Sequence, residues 1–214
     1  MRRVFSDQSE SGTLKLDRVI ALSDGVVAFA NTLLVLGIEV PEDHSLSRDG
    51  LVTFLTKTEY PLFVYAVSFV LIGTFRVNHH AVFHCFQYGT QALTWLNLLF
   101  LFGLTLLPFA TQLMGIYRHE PLVVVLDGAV SVATNLALAL IWWYANRMGR
   151  IVSPETDSSL VRRTRVRIIL AAGLSLVAIG VSFVNVRVAH VFFLATPRVS
   201  LSHGTVKTRG ESRP

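Results

Sequence analysis

Residues 93–117 read LTWLNLLFLFGLTLLPFATQLMGIY, and this third apolar stretch of the chain decides its fold class. It contains no Asp, Glu, Lys or Arg. A bilayer core of about 30 Å requires roughly 20 apolar residues in helical form, so the stretch is long enough to span a membrane. Pro108 lies inside it and predicts a kink, which membrane helices tolerate when neighbouring groups satisfy the freed carbonyl.

The rest of the chain has the same character. Its 214 residues are 52% hydrophobic and 15% charged, whereas a soluble domain usually carries about 25% charged residues. Mean hydropathy is +0.53. We therefore predict an all-α, polytopic membrane protein of six transmembrane segments. The segments are expected at about residues 18–40, 60–76, 93–117, 121–144, 166–183 and 186–195, the last being too short to span alone.

The basic residues predict an orientation in the membrane. The chain has 19 lysines and arginines and a formal net charge of +5. If the amino terminus is cytoplasmic, all but four basic residues lie on the cytoplasmic side; the four are Arg48, Lys57, Arg118 and Arg187. The positive-inside rule favours this arrangement. We expect a multi-pass protein of the cell membrane with a cytoplasmic segment (1–17), a membrane domain (18–196) and a disordered cytoplasmic tail (197–214). Nucleic-acid binding explains the charges less well, because they flank helix ends.

The first predicted helix has two different faces. At about 100° per residue, a stripe of side chains falls within about 60° of Arg18. The stripe comprises Leu22, Gly25, Phe29, Thr32, Leu33 and Leu36. Asp24 and Asn31 fall on the other side. Taken alone, an apolar stripe of this kind indicates ordinary helix packing.

Asp24 is an acidic residue inside an apolar segment. Such residues are costly in a bilayer and face protein or water. Two interpretations stay open: a contact in an ion path, and a structural ion pair or hydrogen bond to another helix. The expected partners are Arg18 and the polar cluster Asn78, His79 and His80 at the end of the second segment, since imidazole donates a hydrogen bond in either protonation state.

Three motifs resemble one family. Residues 18–24, RVIALSD, resemble the R-x-x-x-F-S-D signature of the transmembrane protein 175 family of potassium channels. Residues 77–83, VNHHAVF, resemble the end of that family's second helix, and residues 93–117 resemble its third. The three motifs occur in order at the right spacing, and the resemblance covers about residues 15–197.

The resemblance implies a potassium-permeable channel without a TVGYG filter. Bacterial members with one six-helix repeat form homotetramers in the bilayer, and four first helices line the pore. The pore constriction would then map to Phe29, Leu33 and Leu36, with Thr32 as the polar lining residue. Potassium would be the permeant ion, and no cofactor or bound metal is implied. The signature would hold the first helix against the second through Arg18, Ser23, Asp24, Arg76, Asn78, His79 and His80.

Five positions depart from the family pattern, two of them being Asn31, which replaces a usually apolar residue, and Asp127, an unexpected acid in the fourth helix. Leu22 stands where the signature has Phe, and Phe29 stands where the constriction usually has Ile or Leu. Arg76 stands where the family commonly has an aromatic residue. Arg76 could therefore pair with Asp24 and replace Arg18 as its partner.

Other functions stay open at this stage. Asp24, His79, His80 and Asp127 are titratable groups of the kind that proton-coupled transporters or proton leak pathways use. A membrane enzyme is not expected, because His80 and His84 lack the further ligands and the Glu base of a metal site. A regulatory membrane subunit is the third alternative.

Overall fold

The computed structural model describes residues 2–38, 40, 47–117, 119–148, 151–152, 158–184 and 188. Within these ranges it contains five helices. They are α1 (Arg2–Leu36), α2 (Arg48–Phe83), α3 (Gln91–Ile116), α4 (Pro121–Arg147) and α5 (Ser158–Ser182). The prediction of an all-α chain is confirmed for this part of the protein. The predicted sixth segment (186–195) and the tail (197–214) fall outside it, except for Val188.

Among the described residues, four helices are long and apolar enough to cross a bilayer. They contain the candidate spans Leu16–Leu36, Arg48–Phe83, Gln91–Ile116 and Pro121–Arg147. The apolar part of α5, Ile168–Ser182, is shorter. The helix α3 passes through Pro108 and matches the predicted third segment to within two residues.

The first two helices differ from their predicted bounds. The predicted polar segment 1–17 is continuous with the first span, because α1 begins at Arg2. It ends at Leu36 and not at residue 40, since the next two residues form i→i−3 bonds: the Gly37 N–H donates to the Leu34 carbonyl at 3.3 Å and the Ile38 N–H to the Val35 carbonyl at 3.1 Å. Such tight bonds are common where an α-helix finishes.

The prediction that α2 starts at residue 60 was wrong by twelve residues. Ser47 caps this helix, and its hydroxyl accepts a hydrogen bond from the Gly50 N–H at 3.2 Å. Asp49 follows in the first turn, where its charge favours the positive end of the helix dipole. Pro61 lies inside α2. The helix α5 likewise begins eight residues before its predicted start, at Ser158.

The helix α3 lies at the centre of the bundle. It packs against α1, α2 and α4, and α4 packs in turn against α5. Gly103 of α3 permits a close approach to α4, because a Cβ there would collide with the Thr134 side chain. Small residues commonly serve this purpose between membrane helices. The large side chains Phe100 and Leu104 are fully buried on the same helix.

Candidate pore helix and its anchoring network

The two predicted faces of α1 differ sharply in exposure. Within a single subunit, the stripe residues Leu22, Phe29 and Leu36 are 47%, 61% and 73% exposed. The inward side carries small and apolar residues that are almost completely buried: Val19, Ser23, Val27, Ala30 and Leu34. The helix is therefore attached to its own subunit by one face, and two of the three predicted constriction residues, Phe29 and Leu36, are exposed on the face left uncovered.

Two further residues of the stripe differ from these exposed apolar side chains, one in burial and the other in polarity. Leu33 is half-buried, and Thr32 is exposed. The Thr32 hydroxyl donates a hydrogen bond to the Phe29 carbonyl at 2.8 Å. Because its proton is used inside the helix, the hydroxyl oxygen presents its lone pairs outward, where a cation could contact them.

The inward face is joined to α3 and α2 by a chain of hydrogen bonds. Asn97 of α3 donates through Nδ2 to the Ser23 hydroxyl at 2.9 Å. The Ser23 hydroxyl donates to the Val19 carbonyl at 2.8 Å. On the other side, the Asn97 Oδ1 lies 2.8 Å from the His79 Nε2. With this amide orientation, Nε2 carries a proton and donates it to Asn97.

His79 is sealed by aromatic rings. Its imidazole stacks on Phe83 with the ring centroids 4.2 Å apart and on Phe100 at 5.0 Å. His79 is 1% exposed, and Ser23 and Asn97 are not exposed at all. Three helices thus meet at one buried polar contact, which we call the Ser23–Asn97–His79 network.

Beside this network, α1 and α2 are linked by charge. The Arg76 Nε lies 2.8 Å from the Asp24 Oδ1, and both side chains are partly exposed. The other expected partner, Arg18, is exposed and takes part in no ion pair among the residues with described side chains. Arg18 lies six residues from Asp24, about 240° around the helix, so the two point apart.

The remaining members of the predicted set divide between the core and the surface. Asn78 is 2% exposed. His80 is exposed, and its ring centroid is 6.1 Å from that of His84. The structure therefore does not bring His80 into the Ser23–Asn97–His79 network.

Sequence reasoning missed Asn97, although a signal was present. It is the one carboxamide in the first half of the stretch 93–117, among leucines and phenylalanines. A polar side chain in such a place usually forms a hydrogen bond to another helix.

The described part of the chain offers no metal centre. No group of three or more His, Cys, Asp or Glu side chains comes together there. Cys85, in the turn after α2, is buried, and burial raises the pKa of its thiol. A thiol with a raised pKa is a poor nucleophile and a poor metal ligand.

Comparisons with known proteins point to one group. A family model described as the endosomal/lysosomal potassium channel TMEM175 matches residues 18–108. A potassium channel of Streptomyces collinus is 35% identical over 173 residues, covering 78% of this chain and 82% of that protein. The endosomal/lysosomal proton channel TMEM175 of Homo sapiens is 33% identical over 114 residues, covering 50% of this chain and 23% of that protein.

The fold has a solved counterpart. The crystal structure of a homologue of the lysosomal potassium-selective channel TMEM175, from Chamaesiphon minutus, matches with a TM-score of 0.72 at 28% identity. The match covers 88% of this chain and 98% of the other. The helix arrangement described above is therefore shared along almost the whole length of that chain.

Proposed function

Since this chain belongs to the TMEM175 family of ion channels, we propose that it is a potassium-permeable channel whose pore is formed by the α1 helices of four identical subunits. The resemblance that residues 18–24, 77–83 and 93–117 predicted is confirmed by these relatives. The prediction that the chain is not an enzyme is confirmed as well, because the family consists of ion channels.

The uncovered stripe of α1 carries this proposal. Phe29 and Leu36 are largely exposed in the single subunit although they lie in an apolar span. The opposite face is anchored by the Ser23–Asn97–His79 network. If four such helices surround an axis, each residue of the stripe becomes a ring of four around a central path.

Such rings supply both a gate and a polar contact. Rings of Phe29, Leu33 and Leu36 narrow the path with apolar side chains, and narrow apolar constrictions close channels by dewetting. The outward lone pairs of four Thr32 hydroxyls offer oxygen contacts to a passing cation. The sequence contains no TVGYG segment, and we assign the proposed selectivity to α1.

The proposed setting is the cell membrane. The four spanning helices would cross the bilayer, and both termini would face the cytoplasm, where the positive-inside rule places most of the basic residues. The partners are three further copies of the chain and the surrounding lipid. Potassium is the permeant ion, and the proposal requires no cofactor.

Proton conduction is the second candidate, because the human relative is named a proton channel. A path through Asp24, His79 and His80 would have to use groups that the fold separates. His79 is enclosed by Phe83 and Phe100 and bonded to Asn97, whereas His80 is exposed. This arrangement supports a structural role for His79 and favours the potassium channel.

Flux through liposomes tests the proposal. The purified protein is reconstituted into vesicles, and potassium, sodium and proton fluxes are measured under matched gradients, with protein-free vesicles as the control. Cross-linking in the same vesicles reports the number of subunits. We expect four subunits and a potassium flux that exceeds the sodium flux.

Three other outcomes would contradict the proposal. Proton flux without potassium flux would favour the second candidate. Cross-linked tetramers that pass neither potassium nor sodium would contradict the channel proposal, and a monomer would exclude a pore built from α1.

A further inference from the structure

The helix α4 carries a row of buried oxygen atoms without partners. Both carboxyl oxygens of Asp127, the Ser131 hydroxyl and the Asn135 amide oxygen are buried, and none has a hydrogen-bond partner in the described structure. The three side chains are 0–2% exposed. They follow one another at i, i+4 and i+8 and so lie on one face of the helix. We call them the α4 polar row.

The row faces the interior of the bundle. Thr134, on one side of it, packs on Gly103 of α3. Gly128, on the other side, packs on α5, where a Cβ would collide with the Ile179 side chain. At about 100° per residue, the α4 polar row falls between these two contacts. It therefore lies inside a single subunit, on a different helix from the proposed pore.

Acceptors outnumber donors in this row. Its unpartnered atoms are all oxygens, of which only the Ser131 hydroxyl carries a proton of its own, and one of the two Asn135 Nδ2 hydrogens is used in a bond to the Ser131 carbonyl at 3.0 Å. Protonation of Asp127 would add one donor and would still leave acceptors unsatisfied. A buried set of acceptors needs a species that accepts their lone pairs, and a bare carboxylate at this depth is costly.

We propose that Asp127 and Ser131 bind a partly hydrated monovalent cation, sodium or potassium, inside each subunit. The rise between the two residues is about 6 Å, so one ion between them can contact both. Asn135 lies about 12 Å from Asp127 along the helix, and it contacts the ion's water. A monovalent cation leaves the site neutral, whereas a divalent cation would leave an uncompensated charge, which is costly in a low-dielectric interior.

Thermal unfolding in three salts tests this site. The purified protein in detergent is unfolded in sodium chloride, potassium chloride and N-methylglucamine chloride at equal ionic strength. A ligand that binds only the folded state raises the midpoint as its concentration increases. We expect a saturable rise of about 3 °C or more in sodium or potassium relative to N-methylglucamine. The larger of the two rises identifies the preferred ion.

Two variants locate the effect. Asp127→Asn has nearly the same shape and should lose the rise; if it does not fold, Ser131→Ala should need a severalfold higher salt concentration for the same rise. Thr32→Ala, on the proposed pore face, should keep it. Equal midpoints in all three salts would overturn the proposal. So would a rise that persists in Asp127→Asn and Ser131→Ala and disappears in Thr32→Ala, since that result would place the ion in the pore.

Discussion

Two groups of buried polar side chains in this bundle differ in whether they bond to other helices, although both contain an unpartnered atom, the His79 Nδ1 in one and the α4 oxygens in the other. In the Ser23–Asn97–His79 network, three helices each contribute one residue, and the residues bond to one another. In the α4 polar row, one helix contributes Asp127, Ser131 and Asn135, and four of their oxygens lack partners. Both groups lie among apolar residues, so their difference is not one of burial.

The difference indicates what each group is for. A network in which residues of three helices bond to one another fixes how the helices pack, because any shift of one helix breaks a bond. The oxygens of the α4 polar row make no hydrogen bond to the described protein, so they are available to bind a ligand. Substitutions in the network should therefore destabilise the subunit more than substitutions in the α4 polar row. The following four substitutions are ordered by their expected effect on the stability of the subunit.

Asn97→Leu should have the largest effect. It removes the centre of the network and leaves Ser23 and His79 buried without their interhelical partner. Leaving a buried polar group unpaired costs about 1–3 kcal/mol, so we expect a loss of roughly 2–4 kcal/mol and a sharp fall in assembled protein. Thermal unfolding and size-exclusion profiles in detergent measure both. Unchanged stability would show that the network does not hold α1 in place.

Asp24→Ala should have an intermediate effect. It removes the ion pair with Arg76, and partly exposed pairs contribute up to about 1 kcal/mol. We expect fewer assembled channels with the same preference for potassium over sodium. Arg18→Ala is the matched control and should change assembly little, because Arg18 is exposed and forms no ion pair in the described part. Intact tetramers with an altered ion preference would instead place Asp24 in the ion path.

Asn135→Leu should have a small effect, although it makes the same change of residue type as Asn97→Leu. The substitution removes an oxygen that has no protein partner and an Nδ2 whose bond is to the Ser131 carbonyl of the same helix, so no hydrogen bond to another helix is lost. We expect the free energy of unfolding, measured by thermal unfolding in detergent, to change by less than about 1 kcal/mol. A loss of stability as large as that of Asn97→Leu would show that the network and the α4 polar row contribute equally to the stability of the subunit.

Phe29→Ala should leave the stability of the subunit almost unchanged, because this side chain is exposed and such substitutions usually cost less than about 0.5 kcal/mol. Its effect should appear in flux alone. If Phe29 forms an apolar ring, the smaller side chain widens the path and cation flux in liposomes rises severalfold. Val35→Ala is the control, since Val35 is also exposed on α1 but lies off the stripe. Equal cation flux in the two variants would show that Phe29 does not line the pore.

The sequence predicted the two faces of α1, though not its bounds, because a helix repeats regularly. The periodicity that separated Phe29 and Leu36 from Ser23 is the same periodicity that separates exposed from buried residues in the fold. The pairing of Arg76 with Asp24 came instead from the departure of Arg76 from the family pattern, whereas the residues themselves suggested Arg18. The start of α2 was missed because residues 48–59 are too polar to read as part of a span, whereas a cap at Ser47 and packing are enough to form the helix.

The pairing of Asn97 was beyond the sequence for a different reason. Its partners lie 74 and 18 residues away along the chain, and no local pattern connects them. The α4 polar row was noticed only through Asp127. Serine and asparagine are ordinary residues in helices. Whether their polar atoms find hydrogen-bond partners depends on the neighbouring helices, which the sequence alone does not specify.

The hydrogen bonds of the Ser23–Asn97–His79 network run in one direction, from imidazole to amide to hydroxyl to the Val19 carbonyl. This direction has an evolutionary consequence. An apolar replacement at any of the three positions leaves a buried donor or acceptor without its partner, so the first step toward a different solution is disfavoured. The three positions should therefore covary as a unit across related sequences, whereas Ser131 and Asn135 should diverge independently of one another.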